Sequence, residues 1–93
     1  MVIGTAIVDL YIPGSNSLKD KRRVVRSILD RIRSRYNVSA AEISNQDEWR
    51  QLTLGFAWVS NEGGHVCRSL QGVIRFLERL PDVEVIDYSV QVI

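Results

Sequence analysis

Val2–Tyr36 reads VIGTAIVDLYIPGSNSLKDKRRVVRSILDRIRSRY, and the change of period inside this stretch decides the fold. Up to Ile12 the apolar residues alternate. Val2, Gly4, Ala6, Val8, Leu10 and Ile12 share one face, and Ile3, Thr5, Ile7, Asp9 and Tyr11 the other. A period of two predicts a strand, because successive side chains of an extended backbone point to opposite sides. Pro13-Gly14 stops it, since Pro donates no ladder hydrogen bond and Gly permits a turn. Ser17 followed by Asp20 resembles a capping box with Asp in place of Glu, which predicts a helix starting near Ser17. Beyond it Leu18, Val25, Ile28, Leu29, Ile32 and Tyr36 recur at helical spacing and form one apolar stripe. Asn37 suits the helix end.

The remaining residues extend this unit. Val38 to Ser44 reads as a short strand, Asn45-Gln46-Asp47-Glu48 as a polar turn, and Trp49 to Ser60 as a long strand completing a hairpin. Leu52, Leu54, Phe56 and Trp58 form its bulky row, which should meet the helices; Thr53, Gly55, Ala57 and Val59 lie opposite. Trp49 is expected to pack against a neighbour, as aromatic area usually does. Ser60 or Asn61 is a candidate cap for a second helix with a stripe of Val66, Leu70, Val73, Leu77 and Leu80, ended by Pro81. Val83 to Ile93, rich in Val and Ile, predicts a final strand. The order strand, helix, strand, strand, helix, strand predicts an α+β, ferredoxin-like βαββαβ domain over residues 1–93, a four-stranded antiparallel sheet with both helices on one face. The other face is then uncovered. It would carry Ile3, Ile7, Ala57, Val59 and also Val85, too apolar for a fully wet surface, so a homodimer through this face or through an edge strand is expected.

Composition narrows the function. With 93 residues, 45% hydrophobic and 25% charged, the chain has the balance of a globular domain rather than a disordered one. No apolar run reaches the roughly 20 residues that span a bilayer, and the first residues lack a basic lead and cleavage site, so a cytoplasmic location is expected. A single cysteine, Cys67, and a single histidine, His65, offer no internal disulfide and no metal cluster. No cofactor is expected.

The net charge of +1 conceals an uneven distribution. From Ser17 to Tyr36 eight cations face two carboxylates, a net of +6, while the rest of the chain has four cations against nine carboxylates, a net of −5. Such a segment steers anionic partners whatever the total. On a helical wheel Lys19, Arg22, Arg26 and Arg33 fall on one flank of the apolar stripe, with Lys21, Arg31 and Arg35 on the other side. The bland alternative is a solvated face whose arginines pair with Asp30, Glu42 or Glu62.

Other constellations are weaker. Glu62, His65 and Cys67 are too closely spaced on a helix to converge as a catalytic or metal set. Gly63-Gly64 at a helix start lacks the lysine of a phosphate-binding loop and follows Glu62. Asp47 with Glu48, and Asp82 with Glu84, sit beside turns without a partner acid or oxyanion donor. No RNP-type aromatic pattern is present, and Phe56 and Trp58 share the core register.

IPGSNSLKDKRRVV from Ile12 to Val25, RYNVSAAE from Arg35 to Glu42, LGFAWVSN from Leu54 to Asn61 and Phe76-Leu77-Glu78 together resemble the YlxP-like family. This is a group of small bacterial proteins often encoded beside translation and ribosome-maturation genes. The resemblance implies the ferredoxin-like fold and tilts the expectation toward RNA or the ribosome by association; it carries no enzyme chemistry and no binding residues. The expectation is therefore a non-enzymatic, ribosome-associated module docking RNA or a ribonucleoprotein through Lys19, Lys21, Arg22, Arg23, Arg26 and Arg33. The alternative is a homo-oligomeric protein-interaction module whose basic helix meets an acidic protein patch.

Overall fold

The computed structural model describes residues 1–93. Six elements follow the expected order: β1 (Val2–Tyr11), α1 (Leu18–Arg35), β2 (Ser39–Ser44), β3 (Gln51–Ser60), α2 (Gly63–Glu78) and β4 (Glu84–Val92). The sheet is antiparallel with strand order β2-β3-β1-β4, so each crossover helix spans one intervening strand and both cover the same face: a ferredoxin-like fold.

The period of two in β1 becomes a division of labour. Ala6, Val8, Leu10 and Ile12 are buried under the helices with Leu52, Leu54, Phe56 and Trp58 of β3. Helix α1 buries Val25, Ile28, Leu29 and Ile32; α2 buries Val66, Leu70, Val73, Ile74, Phe76 and Leu77. All of these belong to one hydrophobic cluster of 20 residues. Gly4 sets how closely α2 approaches β1, because a Cβ there would overlap the Val66 side chain. Tyr36, the C-cap of α1, fixes the second layer: its ring meets Trp58 and Phe76 edge-on at centroid distances of 6.4 and 6.1 Å.

Local details differ from the sequence reading in ways with physical causes. Ser17 caps α1 as expected, its Oγ accepting the Asp20 N–H at 3.0 Å, but the Asp20 carboxylate accepts the Asn16 N–H at 3.1 Å instead of that of Ser17. Neither Ser60 nor Asn61 caps α2; the cap position is Glu62, without a side-chain bond, and the Ser60 hydroxyl accepts only the Glu62 N–H at 3.3 Å. Trp49 is exposed (54%), because the hairpin's ladder starts only at Gln51 and leaves it in the loop. Val85 does not reach the uncovered face. A register shift between Asp9 and Leu10 pairs Val85 with Leu10, on the helix side, and makes Ile86 the extra residue. A second shift between Glu42 and Ser44 makes Ile43 the extra residue of β2.

Candidate functional site

The first helix is amphipathic in charge as well as in hydropathy. Seven of its eight cations, Lys19, Arg22, Arg23, Arg26, Arg31, Arg33 and Arg35, are exposed. Two of these are engaged within the chain. Arg33 donates to the Ala40 carbonyl at 2.6 Å, and the Arg35 guanidinium lies 5.0 Å from the centre of the Phe76 ring. The two ion pairs of the structure are Lys21 with Glu42 and Arg68 with Glu62, so no exposed cation of α1 has a carboxylate partner. Six of the seven form two rows. Lys19, Arg22, Arg26 and Arg33 follow the flank facing β2, rising over about 21 Å at 1.5 Å per residue. Arg23 and Arg31 line a groove of about 160 Å³ with Val24, Ser27, Leu80 and Asp82.

Lys21 must be removed from the expected binding set. It is 1% exposed, because it stands four residues before Val25 and seven before Ile28, in the apolar stripe itself. Its Nζ lies 2.9 Å from Glu42 Oε2 of β2 and donates to the Asn45 carbonyl. Asn45 adopts a left-handed backbone (φ 63°), a conformation Asn tolerates, which lets its carbonyl serve Lys21 while its side chain serves the opposite side of the sheet. There its amide donates to Thr53 Oγ1 at 2.8 Å, and Thr53 donates to Asp9 Oδ1 at 2.7 Å. A polar chain thus runs from Glu42 beneath α1 to Asp9 on the uncovered face. A second tie fixes the start of α1: Arg50 donates to the Ser15 carbonyl at 2.8 Å and to Asn16 Oδ1 at 3.1 Å.

A profile of the family described as "Protein of unknown function (DUF503)" matches residues 3–90. The chain belongs to that family. It is also 37% identical over 83 residues to "Uncharacterized protein YlxP" of Bacillus subtilis (strain 168), covering 89% of this chain and 90% of the relative. The YlxP-like resemblance read from the motifs is thereby shown.

Elsewhere on this DUF503 domain, the structure brings Ile3, Ile7, Ala57 and Val59 together on the uncovered face: Ile3 pairs with Val59, Thr5 with Ala57 and Ile7 with Gly55. Ile7 and Val59 are about half exposed, and Ile43 lies across Gly55 beside them. At the other end of this face Asp9, Tyr11, Asn45, Gln51 and Ile86 line a cleft of about 350 Å³. The Asp9 carboxylate there already accepts from Thr53. His65 is exposed and stacks edge-on against Trp58 at 6.3 Å; Cys67 is exposed, two residues on. No helix is long and apolar enough to cross a membrane.

Proposed function

We propose that this DUF503 domain is a non-enzymatic, cytoplasmic binding module that docks RNA, free or on a ribonucleoprotein such as the ribosome, through the exposed cations of α1. One observation supports the reading above others: Lys19, Arg22, Arg23 and Arg26 crowd two turns of helix without a carboxylate partner. Lys19 is three and four residues from Arg22 and Arg23, and Arg26 stands four and three beyond them. Each such like-charge pair costs a helix roughly 0.2–0.5 kcal/mol. Cations in the first turns also oppose the helix dipole. An external polyanion offsets both terms, and phosphates do so with release of counterions.

The rows suit a phosphate backbone because Lys19, Arg22, Arg26 and Arg33 form a ridge along the helix, and Arg23 can hold a strand that crosses to the groove side. Five contacts imply that log affinity falls with log salt at a slope of roughly −3.5 to −4.5. Fluorescence anisotropy with single-stranded and duplex RNA measures this slope. Arg22→Glu with Arg26→Glu should abolish binding while leaving the melting temperature unchanged or raised. A salt-insensitive complex, or one unaffected by the double variant, would overturn the reading. Pull-downs with and without nuclease separate the rival: partners retained after nuclease favour an acidic protein patch.

A further inference from the structure

Exposed apolar side chains lie on the uncovered face, where Ile7, Ile43 and Val59 are, and continue along one edge of the sheet. Ile86, Tyr88, Val92 and Ile93 are 62, 45, 40 and 74% exposed, and all belong to β4 or directly follow it. In the strand order β2-β3-β1-β4 this strand has a neighbour on one side only. Its free edge can be located residue by residue. Ile3 and Ile93 exchange both N–H···O bonds (3.5 and 2.8 Å), so Gln91, Ser89 and Asp87 also direct their backbone groups at β1. Tyr88, Val90 and Val92 therefore direct theirs outward. The Tyr88 N–H agrees with this, being held by its neighbour's carboxylate, Asp87 Oδ1, at 2.9 Å.

From this geometry we infer that β4 pairs with β4 of a second copy, in an antiparallel register centred on Val90, to make a continuous eight-stranded sheet. The register is self-complementary, as a two-fold interface requires. Tyr88 faces the partner's Val92, an aromatic against a β-branched residue, a favourable cross-strand pair. Ser89 faces the partner's Gln91, and Asp87 the partner's Ile93, so no like charges meet. Tyr88, Val90 and Val92 each exchange both backbone bonds with the partner; Asp87 releases the Tyr88 amide as they form. Tyr88 and Val92 project on the helix side, opposite Val8 and Gly4, so they become the floor of a seam between two copies of α2. The bulge at Ile86 ends the pairing on one side, leaving seven residues, Asp87 to Ile93.

The size of the seam sets its strength. A paired length of roughly 24 Å, over a molecule whose thinnest extent is 17 Å, gives about 400 Å² per copy, in the range of weak, reversible association. The two α1 helices then lie on one face, about six strand spacings or roughly 29 Å apart.

Sedimentation equilibrium from about 5 to 500 µM, a range suited to a weak interface, should show a mass rising from one chain toward two. Val90→Pro removes an outward N–H at an edge position that tolerates Pro, so the sheet should survive by circular dichroism while the mass stays at one chain. Tyr88→Lys with Val92→Lys, which sets lysines opposite each other at two exposed positions, should do the same and stands in if the Pro variant fails to fold. Ile7→Lys with Val59→Lys on the uncovered face should leave association unchanged. A single-chain mass throughout for the wild type, association that survives a folded edge variant, or association lost in Ile7→Lys with Val59→Lys would overturn the inference, the last assigning the contact to the uncovered face.

Discussion

Replacing Glu42 by Gln tests the one buried charge of this fold. Lys21 is 1% exposed and its carboxylate partner about 20%, so the two ends of the pair are not equivalent. Glu42→Gln removes the anion and leaves an ammonium with the Asn45 carbonyl as its remaining acceptor. Removing one partner of a buried pair typically costs 3–5 kcal/mol; the surviving hydrogen bond puts this case at the low end, about 3 kcal/mol. The reciprocal change, Lys21→Met, fills the volume of the lysine stem with apolar atoms and leaves Glu42, about 20% exposed, with its buried Oε2 freed from the ion pair. The Asn45 carbonyl still accepts the Glu48 N–H at 3.1 Å. That change should cost only about 1 kcal/mol, because the partly exposed Glu42 carboxylate can turn its buried Oε2 toward water and no unpaired carbonyl remains. For a domain of this size about 2 kcal/mol separates melting temperatures by roughly 8–16 °C. Urea unfolding of both variants and of Lys21→Met with Glu42→Gln completes a double-mutant cycle. The double variant should recover most of the loss in Glu42→Gln. Equal costs for the two single changes, or a cost for Glu42→Gln no larger than for Glu62→Gln in the exposed pair with Arg68, would refute the burial argument.

Two further changes probe the packing. Ile28→Asp or Leu70→Asp sets an unpaired charge at 3% or 0% exposure in a small core and should abolish the cooperative thermal transition, since total stability is about 5–15 kcal/mol; melting like wild type would show that the helical registers are wrong. Gly4→Ala drives a methyl group into Val66 and should cost about 1–3 kcal/mol, read as a lower urea midpoint; Gly14→Ala, with open space around it, is the control.

Element order and type were legible because each segment keeps one period throughout: two in β1 and β3, 3.6 in α1 and α2. The core residues Val25, Ile28, Leu54, Phe56 and Leu70 follow from those periods alone. Lys21 was not legible as a core residue, although its place four before Val25 is a stripe position, because its charge argues for the surface until a buried-side partner is known. That partner, Glu42, lies on another element, and only the β2–β3 register places it beneath α1. The bulges at Ile43 and Ile86 are equally silent in the sequence, since an extra residue leaves the alternation on either side intact; Val85 was assigned to the wrong face for that reason. The exposed cations were the most legible part of the candidate surface. Their lack of carboxylate partners was not, since Asp30, Glu42 and Glu62 were all available by composition.

The place of β1 in the sheet has a consequence for how the chain comes to be folded. This strand is made first, yet its two neighbours, β3 and β4, begin only at Gln51 and Glu84. At about 5–20 residues per second, β1 waits seconds for either, with both its backbone edges unpaired and Ile3, Ile7, Val8 and Leu10 open to whatever strand comes near. The local contacts available meanwhile are those within α1, a helix whose crowded cations disfavour it in isolation. Folding is therefore closed from the C-terminal side: the last strand locks the first, every pairing of the central strand is long-range, and assembly should be slow for so short a chain. During that interval the positive charge of α1 keeps unfinished copies apart by mutual repulsion, so the same residues that crowd the folded helix protect the chain before it is complete.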